Sequence, residues 1–156
     1  MSKARERYTQ LLSNRTQFLD TAVECSELTL PYLVTQDDNY KGKRTLIQPY
    51  QSVGAKAVVT LAAKLMLAIL PPQSAFFKLQ VRDDKLGEQL DQTMRSELDL
   101  SFSKIERLIM DYIAASSDRV VVHQALKHLI VSGNALIFMS KDGLKHYPLQ
   151  RYVVNR

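Results

Sequence analysis

The chain has 156 residues, a formal net charge of +5 and a single cysteine, Cys25. One domain is the expectation at this length, one thiol excludes an intramolecular disulfide or a thiolate metal cluster within one chain, and five glycines with five prolines exclude collagen-like or low-complexity character. The isoelectric point near 9.3 is compatible with nucleic-acid or acidic-surface contact, but the Lys and Arg residues are scattered, as on a solvated surface.

Residues 2–28 read as an amphipathic helix. Tyr8, Leu11, Leu12, Arg15, Phe18, Leu19, Ala22 and Cys25 recur at three- and four-residue steps. Pro31 ends the periodicity, because the residues before a proline favour extended geometry. Residues 34–49 then form a long polar loop carrying Asp37-Asp38-Asn39 and Lys41-Gly42-Lys43-Arg44.

A second helix is expected over residues 51–70. Val53, Ala57, Val58, Leu61, Leu65 and Ala68 share one face, with Lys56, Thr60 and Lys64 as a narrow polar stripe. Apolar residues fill most of the remaining circumference, the pattern of a helix enclosed on several sides. It is not a membrane span, because Lys64 interrupts it and Pro71-Pro72 stops it short of about 20 apolar residues. Nor does the charged start, Met1 to Arg7, form the apolar core of a signal peptide.

Phe77, Leu79 and Val81 alternate as in a strand over residues 76–81. A long helix follows over about 87–115, with Leu98, Phe102, Ile105, Ile109, Tyr112 and Ile113 as its apolar stripe. Ser116, Ser117 or Asp118 caps the next helix, where Val121, Val122, Ala125, Leu126, Leu129 and Ile130 keep helical spacing. Gly133 falls where a left-handed C-cap belongs. Residues 135–139 and 144–147 form a hairpin around Lys141-Asp142-Gly143, and residues 152–154 a last strand. The class is α+β: mainly long α-helices with a few short antiparallel strands.

No catalytic or metal constellation emerges. His123 and His128 are five residues apart, on divergent sides of a helix, and read as exposed. Nothing pairs His146 with a base or ligand role. Cys25 reads as a small core residue. Lys41-Gly42-Lys43-Arg44-Thr45 fails as a phosphate loop, since Arg44 stands where Ser or Thr is needed and Asp37 where the first glycine belongs. Phe76, Phe77, Phe102 and Tyr112 fall on apolar faces and read as core, not as base-stacking platforms. The reading is therefore of a non-enzyme without metal or cofactor.

Three segments, in order, carry a resemblance. They are Tyr50-Gln51-Ser52-Val53-Gly54-Ala55 through Leu61-Ala62-Ala63-Lys64-Leu65-Met66-Leu67-Ala68 to Pro71; Ile105-Glu106-Arg107-Leu108-Ile109-Met110-Asp111-Tyr112-Ile113; and Ala125 through Ser132-Gly133-Asn134-Ala135-Leu136-Ile137, followed by Tyr152-Val153-Val154. In joint order and spacing the chain resembles the portal, or head-to-tail connector, proteins of T-seven-type short-tailed bacteriophages, the autographiviruses. Residues 1–156 are similar to the N-terminal, wing-like portion of such proteins, which are several times longer and carry their stem, clip and crown beyond it.

The resemblance implies a structural virion protein at one capsid vertex, assembled in the host cytoplasm as a dodecameric ring. Double-stranded DNA would pass through it without sequence preference. The implied partners are the major capsid protein, scaffolding protein, terminase and tail adaptor proteins, with no membrane. Lys41, Lys43 and Arg44 are then candidates for a DNA-phosphate or subunit contact, and Gly133 for a structural cap. A rival from another class is a small basic DNA-binding protein, with residues 119–132 as a recognition helix offering Arg119, Gln124 and Lys127.

Overall fold

In the computed structural model, which describes residues 3–35, 46–72, 74–80 and 91–155, the helical periodicities translate into four helices. They are α1 (Lys3–Leu28), α2 (Val53–Ile69), α3 (Gln92–Ala115) and α4 (Asp118–Ser132). Strands β1 (Leu136–Ser140) and β2 (Gly143–Tyr147) follow, then a 3-10 turn, Leu149–Arg151. The class read from the sequence, α+β and mainly helical, is what forms.

The helix ends have local causes. Asp91 caps α3, its carboxylate accepting the Gln92 N–H at 2.8 Å and the Thr93 hydroxyl at 3.0 Å. At the far end of α2, Arg119 reaches across from α4 and its Nη2 donates to the Leu70 carbonyl at 2.8 Å. A guanidinium there satisfies an orphan carbonyl and complements the negative helix end. Where α2 begins, Gly54 lies against the end of α1. A Cβ at that position would sit 2.7 Å from the Leu28 carbonyl oxygen, so the close approach requires glycine.

The core has two parts, and α4 joins them. Ala22 and Val23 of α1 pack with Leu33, Val34, Val58, Val131 and Leu149. Ala62 and Met66 of α2 pack with Leu126 of α4. Ile130 borders both groups. Below α1, the chain turns on Ser26, which is fully buried. Its hydroxyl donates to the Leu30 carbonyl at 2.7 Å and accepts the Val34 N–H at 3.1 Å, closing the turn through Pro31.

The C-terminal segment is tied back onto α1 by Arg15. Its Nη1 lies 2.9, 3.0 and 2.6 Å from the carbonyl oxygens of Leu149, Gln150 and Tyr152. Gln150 in turn donates through Nε2 to the Thr35 carbonyl. The two strands pair antiparallel, Leu136 opposite Tyr147 through Ser140 opposite Gly143, and the Leu144 N–H donates to Asp118 Oδ1 at 2.8 Å.

Several expectations need correction. Residues 77–80 form no ladder. Alternation supplies two faces but not a partner strand, and the Leu79 N–H instead donates to Glu106 Oε1 of α3 at 2.6 Å. Residues 152–154 likewise lie beyond a 3-10 turn, not in a strand. The buried line of α2 is Val58, Ala62 and Met66, whereas Val53 and Leu61 are exposed, so this helix is covered on one side and not on several. In α4 the buried residues are Ala125, Leu126, His128 and Val131, and Leu129 faces out. Helix α3 buries no residue, despite its apolar stripe. Phe76 and Tyr112 are exposed and Phe77 and Phe102 half-buried, so none of the four is core.

Candidate functional site

Gly133 sits where the helix spacing puts a cap. Its φ is +70°, in the left-handed region, and its N–H donates to the Leu129 carbonyl at 2.9 Å. Nothing lies within 4 Å of where a Cβ would project. The demand for glycine is therefore purely conformational. Gly133→Val is expected to cost about 1–2 kcal/mol, while Gln124→Ala, on the exposed side of the same helix, is expected to stay within about 0.5 kcal/mol. Equal thermal melts of the two variants would refute the cap's role.

Lys41, Lys43 and Arg44 lie outside the described residues, as does most of the polar loop they belong to. Cys25 is exposed on α1, not a core residue. The buried position is the next one, Ser26, because its hydroxyl is fully used in the turn. Polarity concealed it from a hydrophobic-pattern reading.

The histidines divide differently from the sequence reading. His123 and His128 stay apart, but His128 is buried, not exposed, and meets His146 of β2. Their ring centroids are 4.4 Å apart with the planes inclined by 38°. His128 Nδ1 and His146 Nε2 are both buried without a hydrogen-bond partner. Burial, and secondarily the His146 charge, pushes the His128 imidazole down to about 4. Burial also lowers His146, and burial with Lys127 lowers His123. No sequence signal pairs residues 128 and 146, since the contact depends on how the hairpin folds back on α4.

Among the described residues, no group of three or more His, Cys, Asp or Glu side chains is placed to hold a metal ion. No helix there is long and apolar enough to cross a membrane. The reading of α4 as a base-reading helix also weakens: Arg119 is engaged by the Leu70 carbonyl, leaving Gln124 as the exposed polar side chain of the three.

What the surface does offer is apolar area. Around the start of α2, Leu28, Ile47, Tyr50 and Val53 stand exposed along a groove that Glu24 and Glu27 border. Leu61, Leu67 and Ile69 of α2 are exposed. Leu100, Leu108 and Tyr112 project from α3, and Leu136 to Met139 of β1 are all exposed. Isolated apolar side chains on a surface are ordinary, whereas several exposed on one element, as on α3 and β1, offer area for contact. The arrangement is suited to contact between macromolecules.

Comparison with known proteins agrees in kind. Residues 1–156 match the family described as bacteriophage head to tail connecting protein. The portal protein of Enterobacteria phage T3 is 36% identical over 98% of this chain and 29% of its own length. That of Escherichia phage T7 is 33% identical over 98% of this chain and 30% of its own. The portal protein of Enterobacteria phage SP6 is also 33% identical, over 99% and 30% respectively. The chain thus spans less than a third of the length of these curated relatives.

Proposed function

Because this chain belongs to the family of bacteriophage head-to-tail connecting proteins, alongside autographivirus portal proteins, we propose that it forms the wing-like region of a portal subunit. Twelve such subunits close into a ring at one vertex of the capsid. Double-stranded DNA enters and leaves through the ring, and the tail attaches to it. The observation that carries this reading is the match to one family over the entire chain, in register with portal proteins from several phages. The exposed faces of α2, α3 and β1 support it, since a ring subunit needs apolar area to bury against neighbours.

The role is structural, without turnover or cofactor. Its partners are further copies of the same subunit, the major capsid and scaffolding proteins, the terminase and the tail adaptor proteins. Its place is the virion, after assembly in the host cytoplasm. Mass measurement of the full-length protein in solution, with electron microscopy of the particles, tests the proposal. Ring-shaped oligomers are expected; a strict monomer at high concentration would overturn it.

DNA contact in such a protein should be to phosphates, because a base-specific contact would hold a genome that has to slide. Binding should then fall steeply with salt and show no sequence preference. Lys41, Lys43 and Arg44 form the compact basic group of this segment. Replacing all three by Ser separates their roles. Normal rings with defective packaging assign them to DNA, failed rings assign them to the subunit interface, and unchanged rings and packaging remove them from both.

A further inference from the structure

Two imidazoles pressed together without a counter-charge are stable only while neutral. His146 lies opposite Ile137 and two residues after Leu144, so strand alternation places His146 and Leu144 on the same face of the hairpin. His146 meets His128 of α4 across that face, ring centroids 4.4 Å apart. Each ring keeps one buried nitrogen unpaired, Nδ1 on His128 and Nε2 on His146. A buried polar group of this kind is costly, and a protonated one more so, unless an acid is at hand.

Among the described residues, the surrounding charges offer no acid to pair with the rings. On α4, Asp118 is ten residues from His128, about 15 Å along the helix, and its carboxylate already accepts the Leu144 N–H. Arg119 is held by the Leu70 carbonyl, and Lys127 is a cation. On the hairpin, Lys141, Asp142 and Lys145 are exposed. Lys56 and Lys64 of α2 are exposed cations. Arg15 of α1 is engaged with backbone carbonyls, and Glu24 of α1 is exposed on the rim of the groove at the start of α2. Lys104, Arg107 and Asp111 of α3 are also exposed. Among the described residues, the charge that acts on His128 besides its burial is that of His146.

We propose that the His128–His146 contact is a proton-sensitive latch: neutral, it seats the β1–β2 hairpin on α4, and protonation in mild acid releases the hairpin. The direction follows from linkage. Both folded imidazoles titrate below their ordinary value, His128 at about 4. The undocked hairpin therefore binds more protons between about pH 6.5 and 4. The docked state has its full stability above about pH 6.5 and loses it as the pH falls. The docking equilibrium shifts by about tenfold per pH unit from His128 alone. Release would detach the hairpin from α4 and free the backbone of both strands to open, a local opening and not global unfolding.

Amide hydrogen exchange of the full-length protein reads this directly, with rates corrected for intrinsic pH dependence. Protection of residues 136–147 is expected to fall tenfold or more between pH 7.5 and 5.0, while residues 58–66 of α2 keep theirs. In His128→Leu, which removes the ring whose titration is shifted most, the fall should shrink by at least half on a logarithmic scale. His146→Phe, which retains an aromatic ring but cannot protonate, provides a second variant with a smaller reduction should the first misfold. Equal hairpin protection at both pH values would overturn the latch, as would an unchanged fall in both variants. Zinc ion at pH 7.5 should leave hairpin protection unchanged; a tenfold gain abolished by His146→Phe would make the pair a metal site and would also overturn it.

Discussion

Arg15→Ala is expected to destabilise the protein by about 2–4 kcal/mol, the range for losing charged hydrogen bonds whose carbonyl partners are only partly rehydrated. For a chain of this size that is on the order of 10 °C in the melting temperature. One nitrogen, Nη1, faces three backbone oxygens between Leu149 and Tyr152. It carries two hydrogens, so at least one of these bonds is shared. The bonds join residues some 134 to 137 positions apart, and they anchor the turn that holds Leu149 in the core. Arg15→Lys keeps the charge but not the planar fork, so it should recover only part of the loss. Denaturant melts of the three proteins measure this. If Arg15→Ala unfolds at the wild-type midpoint, Leu149 burial and the Gln150 bond to Thr35 hold the C-terminal segment without it.

Arg15 also illustrates what the sequence made legible. Its position on the apolar stripe of α1 was plain from spacing, but not its purpose. A guanidinium that caps backbone carbonyls at the other end of the chain leaves no local pattern. The helices were legible because each repeats its apolar residues over several turns, and the Gly133 cap because a positive φ selects glycine. The hairpin was legible from its turn residues. The strands expected at 76–81 and 152–154 were not, because alternation is a local property and pairing is not. Within α2 the difficulty was phase: nearly every position is apolar, so the stripe through Leu61 and the stripe through Ala62 are equally good helical patterns. His128 and Ser26 escaped for the converse reason. Polarity marks His128 as exposed and keeps Ser26 out of any hydrophobic pattern, and only the fold supplies the ring or the turn that buries each one.

Ala62→Leu should therefore destabilise the chain where Leu61→Ala does not. Ala62 has no exposed surface, while its neighbour Leu61 is 45% exposed. Ala62 packs with Met66 and Leu126, bordered by Leu65, Leu70, Val122 and Ile130, where α2 and α4 cross. Three added carbons must displace these neighbours, and overpacking of this kind costs about 1–3 kcal/mol. Part of that strain would fall on the Arg119 bond to Leu70, which fixes the end of α2 against α4. Leu61→Ala removes side chain from the outer flank and should change the melt by about 0.5 kcal/mol or less. Its effect should appear in assembly instead: if the outer flank of α2 is buried between subunits, the variant forms fewer rings at a given concentration while melting normally. The pair thus measures two quantities on adjacent residues, internal packing at 62 and subunit contact at 61. A large loss of stability from Leu61→Ala, with Ala62→Leu tolerated, would show that α2 packs on the other face. A normal melt and normal rings from Leu61→Ala would remove this flank from the interface and leave the groove at the start of α2, with α3 and β1, as the candidate surfaces for assembly.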